Sequence, residues 1–373
     1  MVQIEGWVAP GFEPAAAAFA ANFDAGEEVG AGFAVVRRGE TLLDIRAGYA
    51  DRAKTKPWTS ETLVPVYSTT KGIAAIVVAL CVERKQLRYE DRVAELWPAF
   101  GAHGKDKLTI AQALSHQAGV PGFVEPIDPE LWLDPPACAE AIAALPPLWP
   151  PGTASGYHPL TWGYIVGEIV QRATGRSLGA ILREDICAPN SIDFHVGLPD
   201  SEHGRSADML KPKRVADFGE LNDIKRAAFL LPWSAPKRGG ALWRRIEIPS
   251  ANGHGTALSV AQLYALYATG EIGGGALLSR ETHAALVSRR IQGSDLVLPF
   301  NLDWRSGLLG NAQMFYGPNR EALGHSGFGG SCGFGDPATG VSIGYVMNQQ
   351  SHHLMGDPRS LRVIEALYSC LHD

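Results

Sequence analysis

Cysteine is scarce in this 373-residue sequence, and the few present follow no pattern. Cys81, Cys138, Cys187, Cys332 and Cys370 are odd in number, widely spaced and nowhere arranged as C-x-x-C. That argues against a disulfide framework, a thiolate metal site or a redox dithiol, and leaves reduced, mostly buried thiols. An excess of positive charge is also lacking. Lys and Arg number 33 against 39 Asp and Glu, for a net charge of −6, and no dense basic stripe occurs. Nucleic acid is therefore not an expected partner. No apolar run approaches a membrane-spanning length without polar interruption. The opening MVQIEGWVAPGFEP has neither the basic nor the apolar region of a secretory signal. The expectation is a soluble, cytoplasmic protein with no membrane partner. Internal repeats and low-complexity segments are also missing.

What is present is apolar mass and turn chemistry. Apolar residues make up 46% of the chain and charged residues 19%, enough for one large domain or two ordinary ones. With 42 glycines and 25 prolines the chain must turn often. Residues 13–25 read as an Ala-rich helix. Residues 31–51 read as two strands around a turn at Arg38–Glu40. The stretch STTKGIAAIVVALCVERKQL reads as a helix starting near Ser68, apolar on every side and so central. Helical patterns and Pro/Gly loops alternate from Thr109 to about Ile186, and residues 200–256 are irregular, basic and turn-rich. A helix over 259–270 stops at Gly270. A strand pair turns at Asp336–Gly340, and an amphipathic helix closes the chain. This order predicts a sheet domain assembled from both termini, residues 1–66 and 300–373. A mostly helical domain, residues 67–299, is inserted between them.

Ser68 and Lys71 are the residues that invite chemistry. Three apart at a helix start, they share a face, and the unpaired N–H groups of the first turn favour negative charge. A Lys among Ile73, Ile76 and Val77 is costly to keep charged, so its amine can take a proton from the hydroxyl. S-x-x-K is the nucleophile motif of class A β-lactamases and penicillin-binding proteins. The plain alternative is an N-cap Ser with an ordinary Lys. Ser234–Lys237 repeats the spacing, but Pro236 lies inside it. Ser331 sits in a G-x-S-x-G frame, but a turn follows it and only 40 residues (373 − 333) remain beyond that frame, too few for an α/β-hydrolase. Ser250 and Asn252 mimic an S-x-N motif. His116 reads as a structural histidine. His352 and His353 near Asp357 lack metal-ligand spacing, so no metal is called. Trp132, Trp149, Trp162, Trp233, Trp243 and Trp304 read mainly as core, with those on the 120–160 and 230–245 loops available to wall an apolar pocket.

Two further stretches complete an ordered set: PPGTASGYHPLTWGYIVGEIVQRATGRSL with Tyr157, and ALGHSGFGGSCGFGDPATGVSIGYVMNQ with His325, Ser326 and Gly327. With LTIAQALSHQAGVP, they make nearly the whole chain resemble the serine β-lactamase and penicillin-binding-protein-like family. Within it, the chain looks most like the class C-related branch of class VIII carboxylesterases. The resemblance implies an α+β fold with an antiparallel sheet flanked by helices, a mostly helical domain, and the active site between them. It implies Ser68 as nucleophile, Lys71 and Tyr157 as proton-transfer groups, and backbone N–H groups of Ser68 and Phe328 as oxyanion hole. Substrate binding falls to His325, Ser326, Gly327 and, beside Tyr157, His158. No cofactor is implied. Two departures stand out. The Y-x-N motif reads Tyr157-His158-Pro159, without a side-chain amide. The K-[ST]-G lysine is His325, an imidazole that is mostly neutral at pH 7 when unperturbed. Both disfavour a charged lactam more than a neutral ester. The expected partner is a small-molecule ester of short to medium chain. The alternatives within the fold are a β-lactamase, a D-amino-acid peptidase or amidase, and an acyltransferase. A non-catalytic binding protein is the alternative outside enzymes. An oligomer is compatible with the apolar loops.

Overall fold

The strand Gly30–Arg37 (GAGFAVVR) is buried almost end to end, so both of its faces must be covered. The computed structural model describes residues 2–237 and 239–371 and shows what covers them. Nine strands form one sheet: β1 Glu5–Val8, β2 Gly30–Arg37, β3 Glu40–Gly48, β4 Ile291–Ser294, β5 Asn301–Trp304, β6 Leu309–Gly310, β7 Leu323–Ser326, β8 Cys332–Asp336 and β9 Val341–Met347. Their order is β1-β3-β2-β9-β8-β7-β6-β5-β4, antiparallel at every pairing. The two ends of the chain meet at the centre, where β9 pairs with β2 from Val341 opposite Arg37 to Met347 opposite Ala31.

Side chains alternate across a strand, and here that alternation sorts two cores. Phe33, Val35, Ile343 and Tyr345 belong to one, with Phe19 of helix α1 (Glu13–Asp24) and Val363, Ile364 and Leu367 of the closing helix Pro358–Cys370. Ala34, Val36 and Val346 belong to the other, with the helix Ala257–Thr269 laid across them. That helix seats closely because Gly333 has no side chain: a Cβ there would lie 2.6 Å from the Tyr264 ring. The helix α2 (Thr69–Glu83) is buried without a break from Thr69 to Cys81, as its all-round apolar sequence predicts. Each fully buried Ile or Val in it contributes roughly 1.5–3 kcal/mol. Around it lie the helices Pro135–Ala143 and Thr161–Thr174 and the buried Trp97, Trp132 and Trp162.

Two parts of the fold differ from the sequence expectation. Residue 300 falls between β4 and β5, which are the two strands of one hairpin with Asn301 opposite Ser294. The sheet's second contribution therefore begins at Ile291, and the helix Ala257–Thr269 also lies against the sheet. A small second sheet joins Val64–Pro65, Phe194–Val196 and Gly253–Gly255, and it anchors the chain just before Ser68. The five thiols are unpaired, with four of them buried. Among the described residues no helix is long and apolar enough to cross a membrane.

Candidate active site

Ser68 stands at the N-cap of α2, yet its hydroxyl makes no capping bond. The plain N-cap reading therefore fails. The residue before it, Tyr67, holds a left-handed φ of 47°, an uncommon state for a bulky side chain and one that surrounding structure must enforce. Two contacts do so: Val66 N–H donates to Gly253 O at 2.8 Å, and the Tyr67 ring packs edge-on to Phe328 at 6.0 Å. The hydroxyl is left facing the cleft between helical part and sheet.

One turn on, Lys71 is fully buried. Its Nζ lies 3.3 Å from Ser68 Oγ, 2.9 Å from Pro159 O and 3.0 Å from Ser250 O, and 4.7 Å above the Tyr157 ring. Burial pushes its amine well below the usual lysine range. Tyr157 Oη donates to Ser68 Oγ at 2.6 Å, while burial pushes the phenol up, so it keeps its proton.

The Tyr157 loop is pinned from behind. Its ring stacks on Trp304 at 5.8 Å, within 7° of parallel. Its N–H donates to Asp295 Oδ1 at 2.9 Å. Asp295 also accepts from the N–H groups of Val297 and Leu298 and from the Trp304 indole. Burial lifts this carboxyl above its ordinary range, opposed by those four donors. Sequence reasoning missed Asp295. Its signal is a carboxylate whose oxygen bonds to backbone two and three residues on, an Asx turn in GSDLVLPF.

His325 and Ser326 end β7 and line a recess together with Ser68 and Tyr157, and Gly327 follows them. The Nδ1 of His325 donates to Ser326 O at 2.7 Å, and its buried Nε2 has no partner. Burial, then Lys71, pushes this imidazole down to about 3, so it is neutral. Gly327 donates to Ser331 O at 2.7 Å, and a side chain there would collide with Ser331 Oγ and Val66 O.

His158 is a correction. It is buried and does not face the cleft. Its Nδ1 bonds Gly156 O at 2.6 Å and its Nε2 accepts from Val120 N–H at 3.0 Å, so both ring nitrogens hold loops together. His116 is buried too, and its Nδ1 accepts from His158 N–H at 3.1 Å. The rival serines are structural. Ser331 Oγ donates to Val66 O at 2.7 Å and lies 3.0 Å from Thr69 Oγ1. Ser234 Oγ bonds Ala227 O at 3.0 Å, with Lys237 exposed to solvent. Ser250 Oγ donates to Leu160 O at 2.9 Å, so the residue reaches the site through its carbonyl instead. Asn252 is spent on a turn, bonding Ile248 N–H, Trp243 O and Ile246 O.

The cleft beside Ser68 holds about 440 Å³ and is walled by Phe218, Phe229, Leu230 and Phe328. A small recess beneath it reaches Trp304 and His325. Phe218 and Phe229, which the sequence did not single out, thus do what was expected of tryptophans. Trp149 and Trp233 brace loops through their indole N–H groups, and Trp243 lines only the wider outer cleft.

A hydroxyl between an amine whose charge burial penalises and a protonated phenol, over an apolar chamber, is suited to acyl transfer. Residues 16–367 match the Beta-lactamase family. The esterase/beta-lactamase LipL of Mycobacterium tuberculosis is 34% identical over 357 residues, spanning 91% of this chain and 82% of that protein. A penicillin-binding protein homologue from Caulobacter crescentus has a TM-score of 0.96 at 47% identity, over 99% of this chain and 100% of that one. A family VIII carboxylesterase has a TM-score of 0.91 at 40% identity over the same shares. By sequence over nearly its whole length, and by fold, the chain belongs to the β-lactamase family.

Proposed function

We propose that the protein is a serine carboxylesterase that cleaves short- to medium-chain esters through an acyl-enzyme on Ser68. The observation that carries this reading is the placement of Lys71. A neutral amine has two N–H groups and one lone pair. In the neutral form, with Pro159 O and Ser250 O taking the two N–H groups, the lone pair is turned toward Ser68 Oγ, 3.3 Å away. Lys71 is then the base that receives the hydroxyl proton as Oγ bonds to the ester carbon. Tyr157 stays a phenol and keeps its own donor on that oxygen. Ser68 and Phe328 line the same chamber, and in this reading their backbone N–H groups hold the oxyanion. When the C–O bond to the alcohol breaks, the departing oxygen takes a proton from the Lys71–Tyr157 pair. Water then gives a proton to that pair, adds to the acyl carbon, and Ser68 Oγ leaves reprotonated. His325, Ser326 and Gly327 bound the substrate on the sheet side.

Ester cleavage is favoured over lactam cleavage because the two motif positions that differ carry no charge: His325 is neutral, and Pro159 offers a carbonyl. LipL, whose name includes both activities, and the family VIII carboxylesterase support the ester reading. The test is intact-mass measurement after brief exposure to a fluorophosphonate, on wild type, Ser68→Ala and Ser331→Ala, with nitrophenyl butyrate and a chromogenic cephalosporin as substrates. The expected result is one adduct on wild type and Ser331→Ala, none on Ser68→Ala, and a loss of at least about 10⁴-fold in butyrate turnover for Ser68→Ala. Labelling of Ser68→Ala but not Ser331→Ala would overturn the mechanism. Faster cephalosporin than butyrate turnover would overturn the substrate class.

A further inference from the structure

We propose that the preferred ester carries a carboxylate at the end remote from its scissile bond, held by a cationic mouth. The proposal rests on the esterase reading of this site. The chamber beside Ser68 opens into a wider cleft of about 870 Å³, and the two share Tyr67, Lys211, Pro212, Ala235 and Phe328. Six cations line them: Lys211, Lys213 and Arg214 on one exposed segment, with Arg52, Lys237 and Arg244 on the wider cleft. The one carboxylate on the same lining is Asp208. This concentration stands out on a chain whose net charge is −6. Among the described residues none of the six forms an ion pair, although Arg176, Arg205 and Arg359 each pair with a carboxylate.

Exposure decides where an anion would sit: Lys211, Lys213 and Arg214 are exposed to water, whereas Lys71, His325 and Phe218 are buried. At the reacting end Lys71 is buried and held by Ser68 Oγ and two carbonyls, His325 is buried and neutral, and the walls are Phe218, Phe229 and Leu230. A carboxylate placed there would be desolvated without a partner. At the mouth it stays partly hydrated and meets several cations whose field the apolar walls concentrate. An ester whose neutral carbonyl reaches Ser68 while its carboxylate remains at Lys211, Lys213 and Arg214 satisfies both ends. The carboxylate can belong to the acyl part, as in a dicarboxylic acid hemi-ester, or to the alcohol part.

The experiment compares mono-nitrophenyl glutarate with its neutral methyl ester, and 4-butyryloxybenzoate with its methyl ester. Each rate is normalised to that compound's hydroxide-catalysed rate. At an ionic strength of about 0.02 M, kcat/KM is expected to favour the anionic member of at least one pair by about 5-fold or more, and the preference should shrink toward unity by about 0.5 M. Which pair shows it tells acyl-side from alcohol-side recognition. In Lys211→Gln/Lys213→Gln/Arg214→Gln the anionic-to-neutral ratio should fall by about 5-fold. Equal rates within both pairs, or a preference that the triple variant and salt leave intact, would overturn the proposal. Titration of the same pairs into Ser68→Ala reads the preference as binding. Absence of turnover in wild type would therefore sink the esterase reading while the binding ratio still decides this one.

Discussion

At the scale of the residue, the site turns on which group can accept a proton. Lys71 is held below the ordinary lysine range by burial, and among the described residues no carboxylate bonds to it to restore its charge. As the proposed base it acts only after losing its own proton, so kcat/KM for a neutral ester should rise with pH through the Lys71 pKa. Lys71→Arg keeps a proton at every accessible pH and should lose about 10²–10⁴-fold in kcat/KM. A pH–rate series on wild type and Lys71→Arg checks this, and an unchanged rising limb in the variant would remove Lys71 from the role. That Ser68, Lys71 and Tyr157 meet was legible because their proposed chemistry lies in side chains at telling separations. Pro159 and Ser250 were not, because they act through carbonyls, which every residue has. His158 was misread because sequence adjacency to Tyr157 was taken for shared direction, whereas its ring turns to Gly156 O and Val120 N–H. Phe229 and Phe218 carry no motif, and only the folding of 211–235 over Ser68 gives them their place.

At the scale of the element, α2 was readable as a central helix because an apolar surface on every side admits no solvent face. What grips it was hidden. Two tyrosines from the helix Ala257–Thr269 bond its backbone, Tyr264 Oη to Thr69 O at 2.8 Å and Tyr267 Oη to Gly72 O at 2.6 Å. Gly72 is the reason the two helices approach so closely: a Cβ there would meet the Tyr264 ring, with Cζ 2.7 Å away. Helix propensity alone would make Gly72→Ala stabilising by about 1 kcal/mol. Overpacking costs about 1–3 kcal/mol, so net destabilisation is expected, with a fall in turnover because Ser68 lies one turn away. Urea unfolding decides between the two, and an alanine variant more stable than wild type would refute the close-packing account. The hairpin β4–β5 escaped the sequence for a related reason. IQGS and NLDW lack a β-branched run, and β4 shows little burial, so their pairing depends on tertiary neighbours rather than local preference.

At the scale of the whole molecule, the two ends of the chain are locked together beneath the site by buried charge. Arg359, at the start of the closing helix, pairs with Asp357 through Nη2–Oδ2 at 2.8 Å and Nε–Oδ1 at 3.0 Å. It also pairs with Glu28 near the N-terminus at 2.9 Å. A further bond runs from Arg359 Nη2 to Gly329 O at 2.8 Å, so the same cation steadies the turn that carries Phe328. One guanidinium faces two carboxylates here. Burial would lift Asp357, but the bonds and charge of Arg359 hold it below its ordinary range. Glu28 is the surplus anion. Burial lifts it to about 8 against the pull of Arg359 and the Tyr345 hydroxyl, and its Oε2 is without a partner. The sign then follows from proton counting. Between the unfolded glutamate range, about 4.3, and about 8, the folded protein holds a proton that the unfolded chain has released. The stability this contributes is fully present below that window and is lost as pH rises through it. The urea midpoint should therefore fall from pH 5.5 to pH 8.5 in wild type. Glu28→Gln, which mimics the protonated form, should show a flatter pH dependence. Equal slopes in the two proteins would mean that Glu28 stays ionised beside Arg359, and that the joint between the chain ends works as a fully charged cluster.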